Sequence, residues 1–217
     1  MILKRLQVKT GQENLRTNTY IICDENTKEA MVIDPGGEPE KIVELLDILE
    51  VNEIKYIFLT HCHADHIGGI NGLKMQKGGK ILVSRDDSEG LYNKEISLAE
   101  YIHMEIPELE ADSRVDDGDL IHVGELEFKV IATPGHTKGS ICLYCEKERL
   151  IFTGDTLFSG TWGRTDLPTG SFVAIMASIS DRLMTLPDET ICYPGHGKTT
   201  MIQDEKNIYL ELKEKEF

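Results

Sequence analysis

Residues 60–66 read THCHADH and place three imidazoles and one carboxylate within the six positions from 61 to 66. Imidazole nitrogen and carboxylate oxygen are good ligands for zinc and iron. His61 and His63 are two residues apart, so on extended backbone their side chains face the same way and can bind one metal. Asp65 and His66 follow where the loop turns into a helix, so they can face a second metal. We therefore interpret this stretch as part of a metal site, and not as a chance cluster of polar residues.

Three segments further along the chain each present one more candidate ligand. His136 and His196 each lie in a Pro-Gly-His turn, directly after a predicted strand. Asp155 lies in a Thr-Gly-Asp-Thr turn, also after a predicted strand, where a carboxylate can bridge two cations. Taken alone, each of these residues is more often a structural turn residue. Together with residues 60–66, they complete two sets of metal ligands.

The spacing of apolar residues predicts two groups of strands, each with its own helices. The first group has strands at 1–10, 18–23, 30–34, 54–59 and 80–84, a helix at 39–50 and a helix that starts near Asp65 or His66. The second has strands at 120–123, 126–132, 140–145, 150–153 and 190–193, with helices at 171–185 and 199–212. Two packed sheets with helices outside is the layered arrangement that fits this order.

Two further features lie near the predicted site. Residues 86–118 are irregular and rich in acids, and we interpret them as short helices over the site. They could form a lid over a pocket, and an ordinary surface insertion would have the same sequence. Trp162 lies close to Asp155 in sequence, where either a pocket wall or a buried anchor fits an indole.

The charge balance is strongly acidic and narrows the choice of partners. The chain has 38 acidic and 23 basic residues, a net charge of −15, and no basic run. Nucleic acids and anionic membranes both require clustered positive charge, so neither is an expected partner. A small-molecule substrate remains compatible, because metal ions dominate the local field of a site.

The N-terminus and the cysteines indicate a cytoplasmic protein. The chain shows no apolar run long enough to span a bilayer, and residues 1–10 lack the features of a signal peptide. Five cysteines without a secretory signal do not suggest a disulfide framework. Cys142 and Cys145 form a CxxC motif, but strand alternation would point them to opposite faces, which favours core thiols over a redox or zinc pair.

The four ligand-bearing segments, in this order and spacing, resemble the metallo-β-lactamase superfamily. The resemblance implies an α/β fold, an αβ/βα sandwich of two mixed β-sheets with helices on the outer faces and the site at one edge. It implies two divalent metal ions, zinc or alternatively iron or manganese. It implies that the first is held by His61, His63 and His136, that the second is held by Asp65, His66 and His196, and that Asp155 bridges them.

Within the superfamily, the chain is most similar to the single-domain glyoxalase II-like (hydroxyacylglutathione hydrolase-like) hydrolases. True β-lactamases usually lack an aspartate at the position of Asp155, and the stretch TGDTLF at 153–158 closely resembles glyoxalase II. Arg164 stands where glyoxalase II has a lysine that contacts the glutathione carboxylate, so Arg164 is a candidate substrate ligand. An ion pair with Asp166 is the structural alternative. Glyoxalase II continues into a helical C-terminal domain, so we expect residues 1–217 to be a single metallo-β-lactamase-type domain without it.

The expected activity is hydrolysis of a thioester such as a hydroxyacylglutathione. Two metals roughly 3.5–4 Å apart can share a water and lower its pKa toward about 7, and the bridging hydroxide then attacks the carbonyl carbon. Asp65 is expected to orient the hydroxide while it binds metal. With five histidines used as ligands, no dedicated histidine remains as a general acid. A thioester suits such a site because a thiol, with a pKa near ~8.5, leaves readily as thiolate, whereas an amine must be protonated.

Other functions fit the same residues. A persulfide dioxygenase would use one iron and oxygen, has a similar Gly-Arg-Thr-Asp stretch at 163–166, and draws its ligands from the same seven positions. A hydrolase of another ester or thioester is equally compatible with the ligand set. A non-catalytic role is disfavoured, because buried imidazoles and carboxylates are costly without metal. The acidic composition disfavours a nuclease.

Overall fold

The computed structural model describes residues 1–11 and 15–207. The first sheet comprises β1 (Ile2–Lys9), β2 (Arg16–Cys23), β3 (Ala30–Ile33), β4 (Tyr56–Phe58), β5 (Lys80–Ser84) and β6 (Ser113–Val115). These strands lie side by side in chain order, antiparallel from β1 to β3 and parallel from β3 to β6. Parallel neighbours need crossover connections. Helices α1 (Pro39–Ile48), α2 (Ala64–Ile67) and α3 (Ile70–Lys77) lie in the first two of these connections.

The second sheet has the spatial order β14-β13-β10-β9-β8-β7. Its strands are β7 (Leu120–Val123), β8 (Leu126–Ala132), β9 (Ile141–Cys145), β10 (Leu150–Gly154), β13 (Ile191–Pro194) and β14 (Thr200–Met201). Only β10 and β13 are parallel among these pairs. A small hairpin, β11 (Leu157–Phe158) and β12 (Thr161–Trp162), follows β10, and helix α4 (Phe172–Ser178) runs on into a π-helical turn (Ile179–Leu183).

The core has three layers, and strand alternation distributes the side chains among them. Ile57 packs outward against the helices of the first sheet, while the next residue, Phe58, packs inward between the two sheets. In the second sheet, Cys142 belongs to the outer cluster beneath α4 and Cys145 to the inner cluster. The prediction that these two cysteines are core thiols on opposite faces is confirmed, since their exposed fractions are 0% and 1%.

The carboxyl ends of the ligand-bearing strands meet at one edge of the sandwich. Strands β3 and β4 are parallel in the first sheet, and β8, β10 and β13 share one direction in the second. Two backbone hydrogen bonds join the sheets at this edge, from the Asn18 N–H to the Gly195 carbonyl (2.7 Å) and from the Ile141 N–H to the Thr60 carbonyl (2.9 Å). The loops after these strands therefore rest on a packed, doubly anchored frame.

The predicted sandwich of two sheets with outer helices is confirmed, but some elements differ. Residues 86–118 are not a set of short helices, because they hold one 3-10 helix (Ser88–Leu91), a run of turns and the edge strand β6. Strand β6 has only three residues and pairs only with β5, so its alternation of buried and exposed residues is too short to be recognised in the sequence. The last predicted helix begins only at residue 202, after β14, and its part beyond residue 207 lies outside the described residues. In the described ranges, no helix is long and apolar enough to cross a membrane.

Candidate metal centre

The chain turns sharply after each ligand-bearing strand and directs polar side chains to the common edge. The loop after β4 carries His61 and His63, and α2 begins at the next residue, so Asp65 and His66 lie in its first turn. His136, Asp155 and His196 follow β8, β10 and β13. All seven predicted ligands are thereby brought into one cluster.

The potential ligand atoms of the cluster form three close groups, two of which have the same members as the sets that the family resemblance implies. Each residue offers one potential ligand atom, and within each group these atoms lie within 4.8 Å of one another. The groups are His61, His63 and His136; Asp65, His66 and His196; and an overlapping group of His61, His66 and Asp155. The first and second groups share no member, and the third connects them.

The Asp155 carboxylate reaches both groups. Its Oδ2 lies 3.3 Å from His196 Nε2 and 3.6 Å from His136 Nε2, while its Oδ1 lies 3.4 Å from His66 Nε2. Asp65 Oδ2 lies 3.3 Å from His196 Nε2. One carboxylate therefore spans the interval between the two groups, which is the arrangement of a bridging ligand.

A buried aspartate orients two of the imidazoles. Asp34 is 1% exposed, and its Oδ2 lies 3.0 Å from His66 Nδ1 and accepts a hydrogen bond from the Thr60 hydroxyl (2.7 Å). Because that hydroxyl proton is committed to Asp34, the Thr60 oxygen accepts from His61 Nδ1, 3.0 Å away. Both histidines then carry their proton on Nδ1, which leaves the lone pair of Nε2 for the cluster, as is usual behind a metal.

Backbone carbonyls orient two more imidazoles in the same way. His136 Nδ1 donates to the Arg164 carbonyl at 2.8 Å, and His196 Nδ1 donates to the Arg16 carbonyl at 2.7 Å. Their Nε2 atoms also face the cluster. His63 instead presents Nδ1, which lies 2.9 Å from His136 Nε2.

A metal ion would satisfy the nitrogen and oxygen atoms of the cluster better than hydrogen bonds among them do. His61 Nε2, His63 Nε2 and Asp155 Oδ1 are buried and have no hydrogen-bond partner among the described residues. A buried polar atom without a partner costs about 1–3 kcal/mol. A divalent cation would satisfy His61 Nε2 and Asp155 Oδ1, and it would replace the hydrogen bond between His63 Nδ1 and His136 Nε2. The histidine and aspartate cluster on this fold indicates divalent metal binding.

Burial and neighbouring charges separate the histidines into two protonation classes. Burial, together with nearby His66, holds the pKa of His61 well below its ordinary value, and burial lowers the pKa of His63 to about 3. Burial would also lower the pKa of His66, but Asp155 and Asp65 raise it to about 10. The same carboxylates overcome burial and raise the pKa of His196 to about 12. Without metal, His66 and His196 therefore each carry a second proton at neutral pH, and a metal ion that binds their Nε2 atoms must displace it.

A pocket of about 360 Å³ opens onto the cluster. Five of the candidate ligands line it, namely His63, Asp65, His136, Asp155 and His196. Its remaining walls are mostly apolar and are formed by Leu15, Leu98, Tyr101, Ile102, Phe158, Gly163, Arg164 and Leu167. This volume is within the range of small-molecule sites.

The residues predicted to surround the site take different positions. Arg164 lines the pocket, and its guanidinium forms two hydrogen bonds with the Asp166 carboxylate, at 2.8 and 2.7 Å. The ion pair expected as its structural alternative is therefore present, at an exposed position. Tyr101 and its neighbours bring part of segment 86–118 into the pocket wall. Trp162 packs against the outer core beneath α4, with its ring 6.1 Å from that of Phe172, which is the anchoring role.

Sequence reasoning missed two carboxylates that support the cluster. Asp34 stands directly after β3, as the first residue of an Asp-Pro-Gly-Gly turn, and this strand-end position is the signal that could have found it. Asp87 lies in the acid-rich segment after β5 and is 1% exposed. Nothing in its local sequence separates Asp87 from the acids around it, because its partners are distant in the chain.

Comparison with known proteins agrees with this geometry. The family model described as metallo-beta-lactamase superfamily matches residues 13–196. The hydroxyacylglutathione hydrolase GloC of Haemophilus influenzae is 35% identical over 203 residues, which is 90% of this chain and 93% of that protein. The crystal structure of the B3 metallo-beta-lactamase BLEG-1 superposes with a TM-score of 0.87 at 30% identity, covering 95% of this chain and 97% of that one. The crystal structure of TTHA1623 in a di-iron-bound form has a TM-score of 0.81 at 31% identity, covering 94% and 98%.

The fold and the site define a metal-dependent hydrolase. The chain belongs to the metallo-β-lactamase superfamily, as the resemblance in the sequence predicts. Its sandwich of two mixed sheets is the fold of its solved structural neighbours.

Proposed function

We propose that the protein is a dinuclear hydrolase that cleaves a thioester such as a hydroxyacylglutathione. The observation that carries the proposal is the pair of ligand groups connected by Asp155, whose carboxylate lies within 3.6 Å of histidines from both. The similarity to GloC, a hydroxyacylglutathione hydrolase, supports the substrate class.

The proposed ligands are those expected from the family. One metal is held by His61, His63 and His136, the other by Asp65, His66 and His196, and Asp155 bridges both. Bound there, the metals would lower the pKa of a water to about 7 and polarise the substrate carbonyl. We propose zinc, with iron or manganese as alternatives, and the di-iron form of TTHA1623 supports a site of this kind that accepts iron.

Asp65 is the proposed catalytic residue. Its carboxylate lines the pocket, and its Oδ2 is held 3.3 Å from His196 Nε2. This oxygen accepts a hydrogen bond from the attacking water and orients it toward the carbonyl. The apolar walls, including Leu98 and Phe158, exclude other water from the reacting bond.

The pocket favours a leaving group that needs no proton. The histidines that line it, His63, His136 and His196, all belong to the ligand groups. A thiolate leaves without protonation, because the pKa of a thiol is about 8.5. Arg164 at the wall would exchange its ion pair with Asp166 for a substrate carboxylate, which a guanidinium binds bidentately.

A β-lactam hydrolase is the second candidate, favoured by the close superposition on BLEG-1. Opening a lactam releases an amine, which must gain a proton as it leaves. The histidines at this pocket are committed to the ligand groups, so we rank this reaction below thioester cleavage.

The test compares three reactions of the zinc- or iron-loaded protein. We expect hydrolysis of lactoylglutathione, with a kcat/KM at least 100-fold above that for a chromogenic β-lactam. Oxygen uptake on glutathione persulfide, with no thioester cleavage, would instead identify a dioxygenase. The double variant Asp65→Ala, His196→Ala is the control, and full activity in it would exclude the dinuclear mechanism.

We also propose a cytoplasmic location. All five cysteines lie in the described part of the chain, and each is buried and unpaired. Free thiols are typical of a reducing compartment.

A further inference from the structure

The buried carboxylate of Asp87 connects two of the ligand-bearing loops. It follows β5, is 1% exposed, and accepts three hydrogen bonds from residues distant in sequence. Among the described residues, no basic side chain forms an ion pair with Asp87. The three hydrogen bonds are therefore what offsets the cost of burying this carboxylate. A buried carboxylate is costly, and an apolar side chain would often pack as well or better.

Two of the three donors lie beside three proposed metal ligands. Asp87 Oδ2 accepts from the Cys62 N–H (3.1 Å), which lies between His61 and His63 in the chain. The same oxygen accepts from the Thr137 hydroxyl (2.6 Å), one residue after His136. Asp87 thus binds the β4 loop and the β8 loop through a single atom.

The other side of the carboxylate is fixed by close backbone packing. Asp87 Oδ1 accepts from the Gly139 N–H at 3.0 Å, and the Ser84 hydroxyl donates to the Gly139 carbonyl at 2.5 Å. A Cβ on Gly139 would lie only 2.5 Å from Asp87 Oδ1, so this approach requires glycine. The carboxylate therefore has little freedom to follow a displaced loop.

We propose that Asp87 is a positioning residue that sets the distance between His136 and the His61–His63 pair, and thereby the affinity of the first metal. The inference rests on the proposed function, since it assumes that these three histidines bind that metal. Asp87 has no hydrogen bond to the residues of the second group, Asp65, His66 and His196. Its loss should therefore weaken one metal and leave the other.

Asp87→Asn is the informative variant because it changes shape very little. The asparagine side chain can be oriented in two ways. In one its NH2 group faces the Cys62 N–H, and in the other it faces the Gly139 N–H, so one of these hydrogen bonds is lost in either case. Asp24 provides a matched control far from the site. It is 3% exposed and also accepts three hydrogen bonds, here all from backbone N–H groups, of Asn26 (2.8 Å), Thr27 (3.1 Å) and Glu125 (2.7 Å).

The experiment is a zinc titration against a chromophoric chelator, with the urea midpoint of each metal-free variant measured beside it. We expect Asp87→Asn to bind one of two zinc ions about 10- to 100-fold more weakly, the usual effect of losing a supporting partner. Asp24→Asn should lower the urea midpoint to a similar extent and bind both ions as the wild type does.

Each other outcome has a defined meaning. Two wild-type zinc affinities in Asp87→Asn would overturn the inference and leave the proposed function standing. Equal weakening by Asp24→Asn would reduce Asp87 to a stabilising role and also overturn it. A wild-type protein that binds no metal would overturn the inference together with the proposed function.

Thr137 supplies a second pair of variants if Asp87→Asn fails to fold. Thr137→Val removes the hydroxyl that donates to Asp87, whereas Thr137→Ser keeps it. We expect Thr137→Val to weaken binding of the same zinc ion and Thr137→Ser to retain the wild-type affinity. Equal affinities in the two variants would contradict the positioning role.

Discussion

Replacement of Asp34 by asparagine should weaken the metal held by the second ligand group. Asp34 accepts from the Thr60 N–H (2.8 Å) on one oxygen, and the other oxygen lies 2.7 Å from the Thr60 hydroxyl and 3.0 Å from His66 Nδ1. Asparagine suits this position because Asp34 has a φ of 50°, a left-handed conformation that asparagine also adopts readily. The variant therefore tests the hydrogen bonds without adding backbone strain.

The size of the effect follows from the geometry. The Thr60 N–H cannot turn away, so the remaining carbonyl oxygen stays opposite it and the amide faces His66 Nδ1. His66 must then accept at Nδ1 and carry its proton on Nε2, the atom that faces Asp155. Loss of such a supporting partner costs about 10- to 100-fold in metal affinity, or about 1.4 to 2.8 kcal/mol.

Competition titration with a chromophoric chelator measures this change directly. One zinc ion should bind 10- to 100-fold more weakly (~1.4–2.8 kcal/mol), and kcat/KM for thioester hydrolysis should fall at sub-saturating zinc and recover in excess zinc. Urea unfolding without metal provides the control for general damage. Zinc affinities within threefold of wild type would refute the argument that Asp34 fixes the His66 tautomer.

Three further predictions concern a close contact, the substrate and the thiols. Gly195→Ala would place a Cβ 2.3 Å from Asp155 Oδ1, and we expect at least a 100-fold loss in kcat/KM; activity within fivefold of wild type would contradict the proposed site. Arg164→Ala should raise KM about tenfold with little change in kcat if Arg164 binds a substrate carboxylate, whereas Asp166→Ala should leave KM unchanged or lower it; steady-state kinetics on lactoylglutathione separate the two. Burial raises the pKa of Cys142 to about 12, so native protein should resist thiol reagents at pH 8. Because the unfolded thiol ionises near pH ~8.5, the buried neutral thiol contributes its full share of the free energy of unfolding below that pH. This share is lost as the pH rises toward 12, by about 1.4 kcal/mol per pH unit. Urea midpoints at pH 7 and 10 would measure the loss.

The proposed ligands could be predicted because metal binding limits the residue types and places them at strand ends. His61 and His63 are recognisable from their spacing alone, and the later Pro-Gly-His turns repeat one local design. The sheets were also predictable, since β8 alternates apolar and charged residues and β9 is a continuous apolar run, and both strands are bounded by turns. Local sequence is sufficient wherever one segment contains the whole signal.

The supporting carboxylate of Asp87 was not predictable, for the opposite reason. Asp87 acquires its role from Cys62 and Thr137, which lie 25 and 50 residues away. Strand β6 similarly depends on its parallel pairing with β5, because its three residues carry no usable alternation. Both features exist only after the chain has folded, so a reading of neighbouring residues misses them.

The metal-to-chain ratio distinguishes a site for two metals from a site for one. The purified chain would be equilibrated with zinc, freed of unbound metal and examined by elemental analysis, with Asp155→Ala treated in parallel. A two-metal site should give two zinc ions per wild-type chain and fewer in the variant that lacks the Asp155 carboxylate. A ratio of one in the wild type, unchanged by Asp155→Ala, would contradict it.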